Sequence, residues 1–241
     1  MAIDEALAEA VGAGASIPVV RLYGFSPPTL SLGRFQKTKG QFDFRRLRAD
    51  GVTMVRRPTG GHAVLHDDEL TYSVALAKDG GAVSRKREVY LFIARVLLAG
   101  LRNLGIEGTI NAAQQGDVHN PDCFGSAGEY EISGREGRKL IGSAQMTTRV
   151  AILQHGSIPM TNPGSNVTRY LEAGQPLESR PPSSLNEEAG RPLEYEEVRE
   201  AFARAFRALD TVDSAVLPAE EARARQILAE KYGTDKWNLA S

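Results

Sequence analysis

The chain has 241 residues, 41% of them hydrophobic and 24% charged, the makeup of a soluble globular protein long enough for one well-buried core. Lys and Arg total 29 against 30 Asp and Glu, a formal net charge of −1, so no global field draws the protein onto nucleic acid or anionic lipid. Apolar stretches such as Val96-Leu97-Leu98-Ala99 fall far short of the ~20 residues of a membrane span, and Asp4, Glu5 and Glu9 stand where a signal peptide carries a basic head. The expectation is a single domain over residues 1–241, resident in the cytoplasm, with neither nucleic acid nor membrane as a partner. The one cysteine, Cys123, excludes an internal disulfide and a cysteine-based zinc cage, which leaves an inert buried thiol or a reactive one.

In chain order, Ile3, Leu7 and Val11 lie four apart and give an Ala-rich helix over residues 1–13 one apolar edge, with Gly12 and Gly14 to stop it. Short β-type runs follow at 19–23, at 29–32 ending in Gly33, and at 52–55 leading into Arg56-Arg57. A basic helix over residues 42–48 falls between the last two. Residues 70–76 alternate Tyr72, Val74 and Leu76 with Thr71, Ser73 and Ala75, the period of a half-buried strand. Ser84 is the candidate N-cap of the clearest helix, in which Val89, Phe92, Ile93, Val96, Leu97, Leu101 and Leu104 recur at helical spacing until Gly105 closes it. Residues 129–133, the turn 134–137 and residues 138–145 read as a hairpin, which a strand near Ala151-Ile152-Leu153 extends.

Residues 162–192, rich in Pro, Ser, Asn and Gly, read as a long loop. A two-helix segment over about 193–233 finishes the chain: Val198, Phe202 and Phe206 are four apart on the first helix, and Pro218 opens the second, which Gly233 ends. The irregular order of strands and helices, with a hairpin in the second half, points to an α+β domain rather than a doubly wound parallel sheet.

Several chemistries lack their residues. No P-loop lysine follows a glycine, Gly12-Ala13-Gly14 lacks the third glycine of a dinucleotide fingerprint, and neither His-Glu-x-x-His nor Gly-x-Ser-x-Gly occurs. Histidines 62, 66, 119 and 155 are dispersed without metal-ligand spacing, so no metal and no cofactor is expected. Three glycine-rich polar clusters remain. In residues 56–73, Gly60 and Gly61 let backbone N–H groups approach a ligand, Arg57 is a fixed cation and His66 a titratable donor; the alternative is a hairpin turn with solvated charges. Residues 137–145 put Lys139 on a strand and follow it with Gly142, Ser143 and Ala144, a poor packing element but a good wall for a slot that admits an extended ligand. The alternative there is a lysine on a wet strand face. Gln154-His155-Gly156-Ser157 repeats the pattern at a third strand end.

These residues together resemble a known superfamily. Arg-Arg-Pro-Thr-Gly-Gly-x-Ala-Val-Leu-His from Arg56, then Leu-Thr-Tyr-Ser from Leu70, Gly-Arg-Lys-x-x-Gly-Ser-Ala-Gln from Gly137 and Leu-Gln-His-Gly-Ser-Ile from Leu153 look like the biotin/lipoate protein ligases and lipoyl transferases. Asp122-Cys123-Phe124 ahead of Tyr130-Glu131 is similar to the LipM-type octanoyltransferases within it. The likeness runs from Asp4-Glu5 to Trp237-Asn238. It implies a mixed, mostly antiparallel β-sheet flanked by helices, as in biotin/lipoate ligase catalytic domains. It also implies a cytoplasmic enzyme that moves an octanoyl group from octanoyl-acyl carrier protein to a lysine of a lipoyl domain, typically the glycine-cleavage H protein. By the resemblance, Cys123 carries the acyl chain as a thioester and Lys139 faces it. Arg57, Thr59, Gly60, Gly61, His66, Tyr72 and Ser73 belong to the substrate site with Gly142, Ser143, Ala144, Gln145, His155, Gly156 and Ser157. His62 departs from the family, which often has Arg or Gly there.

The chemistry agrees with those assignments. A thiol of unperturbed pKa ~8.5 reacts as the thiolate, and an ammonium nearby raises that fraction. Exchange of one thioester for another is nearly isoenergetic, the later amide is strongly favoured, and no ATP is required. Burial of about seven carbons at roughly 0.8 kcal/mol each supplies on the order of 5–6 kcal/mol for chain-length selection. Backbone N–H groups of the Gly60-Gly61 or Gly142-Ser143 turns are candidate oxyanion donors. The main rival is an ATP-dependent lipoate-protein ligase acting through lipoyl-adenylate, which needs no cysteine and often carries a further C-terminal domain. A scaffold that binds lipoyl domains, with Cys123 packed in the core, is the non-enzymatic alternative.

Overall fold

A computed structural model describes residues 1–38, 40–78, 86–111, 131–161, 167–172 and 182–240. Helix α1 (Ala2–Gly12) precedes strands β1 (Val19–Tyr23) and β2 (Thr29–Leu32), helix α2 (Phe44–Ala49), strands β3 (Thr53–Arg56), β4 (Val64–His66) and β5 (Glu69–Ala77), and helix α3 (Lys86–Asn103). Strands β6 (Thr109–Ile110), β7 (Ile132–Ser133), β8 (Lys139–Thr147) and β9 (Ala151–Pro159) lead to helices α4 (Leu185–Ala189), α5 (Tyr195–Arg207), α6 (Pro218–Ile227) and α7 (Asp235–Asn238). Among the described residues six strands form one sheet in the order β1-β5-β9-β8-β7-β6, with every neighbouring pair antiparallel. The other three form a small sheet, β3-β2-β4, in which β2 and β3 run parallel.

Strand alternation sorts the large sheet's side chains between two layers. Val74 and Ile152 face the cluster built from Val89, Ile93 and Leu97 of α3 and Val198, Phe202 and Phe206 of α5. Their neighbours Ala75, Ala151 and Leu153 meet Ala8 and Val11 of α1 instead. The small sheet has its own core, in which Leu30, Leu32 and Leu65 pack on Phe42, Leu47 and Tyr170. Leu7 and Val11 are buried as the spacing predicts, and Pro218 is the first residue of α6. Among the described residues no helix is long and apolar enough to cross a membrane.

Two expectations need correction. Strand β5 is buried on both faces over its first seven residues rather than half-buried, because α1 covers the polar face and Asp4 accepts the Ser73 hydroxyl at 2.7 Å. Residues 162–192 are not one open loop. Ser183 N–H donates to the Lys139 carbonyl at 2.8 Å and Asn186 N–H to Met160 at 3.0 Å, so the start of α4 is docked on the sheet, with Ser183, Ser184, Leu185 and Glu188 buried. Ser184 caps that helix by accepting from Glu187 N–H, the Ser-x-x-Glu start that the Pro and Ser content concealed. The predicted N-cap Ser84 lies outside the described residues.

The small sheet closes tightly on the turn after β3. A Cβ on Gly33 would lie 1.7 Å from the Gly61 carbonyl oxygen, whereas one on Gly60 would meet nothing within 4 Å. Gly33→Ala is therefore expected to lower unfolding stability by about 2 kcal/mol or more, the range of forced overpacking against backbone, and Gly60→Ala to leave it within about 0.5 kcal/mol. Denaturant unfolding of the two variants checks this, and equal effects would contradict the packing described.

Candidate active site

The two sheets line a cleft with about 370 Å³ of empty space, mouth included. Ser31 of β2, Val64 and His66 of β4, and Arg57 come from the small-sheet side. Tyr23, Thr71, Gly142-Ser143-Ala144 of β8 and His155-Gly156-Ser157 of β9 come from the large sheet. The pairs Gly142↔Ser157 and Ser143↔Gly156 place side chains no larger than serine across from each other, and that leaves the room. A Cβ on Gly156 would lie 2.4 Å from the Gly142 carbonyl oxygen and 2.5 Å from Tyr72 Cε1, so this position tolerates only glycine without moving a strand.

Buried hydrogen bonds fix the polar side of the cleft. Arg57 donates from Nε and Nη2 to the Gly60 carbonyl, from Nη2 to that of His62 at 2.7 Å, and from Nη1 to Ser31 O at 3.1 Å and Oγ at 3.3 Å. Its guanidinium thus shapes the Thr59–His62 turn. The His62 backbone takes part in that bracing. His66 Nε2 lies 2.8 Å from Ser31 Oγ and its Nδ1 lies 2.5 Å from Glu69 Oε1. Phe25 stacks on the His66 ring at 4.3 Å. Glu69 also accepts the hydroxyls of Thr71, at 2.5 Å, and Ser157.

Two further side-chain chains stand behind the wall. Thr59 Oγ1 is 2.6 Å from His155 Nε2. Burial pushes the His155 imidazole down to about 3, with Arg57 adding to the effect against the pull of Asp4, so the ring is neutral at pH 7. On the other side Gln145 Nε2 donates to Gln154 Oε1 at 3.1 Å, Gln154 Nε2 donates to Tyr72 Oη at 3.0 Å, and Tyr72 Oη is 2.6 Å from Ser143 Oγ. Burial pushes the Tyr72 hydroxyl up to about 12, so it keeps its proton. Either hydroxyl can donate in the Tyr72–Ser143 bond; when Tyr72 donates, the Ser143 proton is left to point toward the cleft.

Lys139 opens β8, three residues before Gly142 and thus about 10 Å along the strand from the slot. It is not on a wet face: its side chain is 3% exposed and its Nζ lies 2.7 Å from Glu131 Oε1, itself 7% exposed. The register slips here, with Ile132 opposite Ile141 but Ser133 opposite Lys139, a bulge of the kind that re-aims a side chain. Sequence reasoning noted Glu131 only as part of a motif; its role as the lysine's counter-ion needed the fold. Ser31, Tyr23, Val64 and Thr71 were likewise missed as lining residues, since they sit in ordinary strands without a local signal.

Of the anticipated site residues, Arg57, His66, Gly142, Ser143, Ala144, His155, Gly156 and Ser157 line the cleft. Thr59, Gly60, Gly61, Tyr72, Ser73 and Gln145 are not in its lining; they brace it through the contacts above. Gly142-Ser143 is in mid-strand rather than in a turn. Cys123, with Asp122, Phe124 and Tyr130, lies outside the described residues. Among the described residues no group of His, Cys, Asp and Glu could hold a metal ion.

Residues 1–207 match the lipoyl protein ligase A/B catalytic domain family. The chain belongs to that family. Relatives of nearly equal length set its place within it. The chain is 39% identical over 259 residues to the octanoyltransferase LipM of Symbiobacterium thermophilum, covering 99% of this chain and 93% of that protein. It is 36% identical over 261 residues to the LipM of Geobacillus kaustophilus, covering 99% and 92%. It is a LipM-type member of the family, and an acyltransferase. The fold is shared with a lipoate-protein ligase A bound with ATP, at TM-score 0.82 and 24% identity over 99% of this chain and 92% of that one. A bipartite lipoate protein ligase from Thermoplasma acidophilum aligns at TM-score 0.77 and 22% identity over 99% and 89%. The fold class expected from the resemblance is the one found.

Neutral, buried His155 has a sign for pH. Its folded pKa of about 3 lies below the unfolded ~6.5, so its contribution to stability is fully present above ~6.5 and is lost as pH falls toward 3. His155→Gln should flatten the decline of unfolding free energy between pH 6.5 and 3, by an amount on the order of a few kcal/mol. A decline as steep as that of the parent would mean that His155 is not held neutral.

Proposed function

We propose that the chain transfers an octanoyl group from octanoyl-acyl carrier protein to a lysine of a lipoyl domain, that of the glycine-cleavage H protein, through a thioester on Cys123. Residues 1–241 act as one catalytic domain in the cytoplasm. The observation that carries this reading is strand β8, which runs from the buried Lys139–Glu131 pair into the slot wall of Gly142-Ser143-Ala144. The names of the LipM relatives support the octanoyl group as cargo.

In the first step the Cys123 sulfur attacks the carrier thioester, the carrier thiolate leaves, and the acyl tail lies in the cleft. An ammonium at Lys139 favours the thiolate, with Glu131 holding it in place. The Ser143 hydroxyl, oriented by Gln154 and Tyr72, is a donor for the developing oxyanion. In the second step the acceptor lysine, as the free amine, attacks the Cys123 thioester and the thiolate is regenerated. The buried arginines near the cleft are spent on the protein itself: Arg56 on the carbonyls of Gly33, Gln36, Trp237 and Ala240, and Arg57 on the Thr59–His62 turn. That commitment favours an acyl thioester over a nucleotide triphosphate as the activated donor.

Octanoyl-acyl carrier protein mixed with the enzyme should leave an octanoyl adduct on Cys123 by mass spectrometry, with no ATP added. Cys123→Ala should abolish transfer to the H protein, and Lys139→Met should slow it by about 10²–10³-fold, the usual range for the loss of one preorganised electrostatic partner. Wild-type rates in Cys123→Ala, or modification of the H protein driven by lipoate and ATP without carrier protein, would overturn the reading in favour of the ligase.

A further inference from the structure

The connection from β2 to β3 concentrates unpaired positive charge. Residues 34–50 hold six Lys and Arg against Asp43 and Asp50 in a chain of net charge −1. Both acids are engaged locally. Asp43 caps α2 by accepting from Arg45 and Arg46 N–H, each at 3.0 Å, and Asp50 binds Arg169 at 2.9 Å and Tyr170 Oη at 3.0 Å. Arg34, Lys37, Arg45, Arg46 and Arg48 are exposed, and none forms an ion pair among the described residues. On α5 and α6, by contrast, Arg199, Arg207, Arg223 and Arg225 each sit on a carboxylate, and the exposed arginines without an ion pair among the described residues, Arg95, Arg102, Arg149 and Arg204, are scattered along the chain.

An exposed aromatic ring belongs to the same segment. Phe35 is 83% exposed, with the Arg34 guanidinium 5.4 Å from its centroid. A large exposed apolar side chain under an arginine, in a segment rich in unpaired cations, is the composition of an interface centre rather than of a bare surface. The connection also adjoins the cleft. It begins two residues after Ser31, and Arg34 N–H donates to the Thr59 carbonyl at 2.9 Å, while the Thr59 hydroxyl contacts His155.

We propose that residues 34–38 and 40–50 are the landing surface for the acyl donor, a carrier protein that is anionic and holds its acyl chain on a phosphodiester-linked arm. The proposal rests on the octanoyl-transfer reading above. Charge decides between the two protein substrates. The donor brings a phosphodiester to the mouth of the cleft, whereas the acceptor brings a lysine ammonium, which like charge repels.

The variants to test are Arg45→Glu with Arg46→Glu, and Phe35→Ser, all exposed positions outside the cleft. The expected result is about tenfold weaker binding of octanoyl-acyl carrier protein to the full chain, with a shallower salt dependence and a matching rise in the donor KM. Transfer from octanoyl-pantetheine, which lacks the phosphodiester, and the KM for the H protein should both stay at wild-type values. Unchanged donor binding would overturn the proposal, as would a rise confined to the H-protein KM, which would assign the surface to the acceptor. Binding is measured apart from turnover, so loss of the octanoyl-transfer reading itself shows separately, as a wild-type enzyme that binds carrier protein yet forms no octanoyl adduct.

Discussion

Glu69 carries a buried carboxylate at the corner where the chain leaves the small sheet for the large one, and donors from both sides converge on it. His66 approaches from β4, Thr71 from β5 and Ser157 from β9. A carboxylate buried this way costs several kcal/mol unless its lone pairs are filled, so each of these contacts is obligatory once the corner forms. The seam carries on through His66 to Ser31 and from Ser31 to Arg57, which ties β2 and the Thr59–His62 turn to the same point. The cleft is the gap that remains beside the seam. Its walls are fixed by polar bonds rather than by filling with side chains.

That arrangement explains why glycine, serine and alanine occupy β8 and β9 where apolar packing would be more stabilising. Larger residues at Gly142, Ser143, Ala144 and Gly156 would fill the gap and join the large sheet's core, and the slot would be lost. The cost in packing is offset on the far face, where α3 and α5 seal the sheet with large apolar side chains. The buried hydrogen bonds of Tyr72, Gln154 and Gln145 serve in place of packing behind the slot wall.

Much of the architecture was legible because periodicity and punctuation agree. The three-and-four spacing of Val89 to Leu104 marks α3, Pro218 marks the start of α6, and the hairpin around residues 134–137 has its turn residues. What sequence could not reveal follows from long-range contacts. Strand β5 has the alternation of a half-buried strand, yet Asp4, 69 residues away from Ser73, makes its polar face an interior. Helix α4 is five residues long and is held by bonds to Lys139 and Met160, partners that no local pattern reveals. In the site, glycines and charged residues announced themselves. Thr59, Tyr72, Ser73 and Gln145 belong to the right motifs but brace the cleft instead of lining it, a distinction set by which way each strand faces. Glu131 needed its partner across the β7–β8 bulge to acquire a meaning.

The cleft beside the Glu69 seam is the proposed place where a fatty chain lies while it is held by the protein. A crystal structure of the enzyme trapped as its octanoyl adduct tests this most directly. The predicted result is continuous density for the eight-carbon chain between Ser31, Val64 and His66 on one side and Gly142, Ser143 and Ala144 on the other. Density for the chain along another surface, with this cleft filled only by solvent, would contradict it.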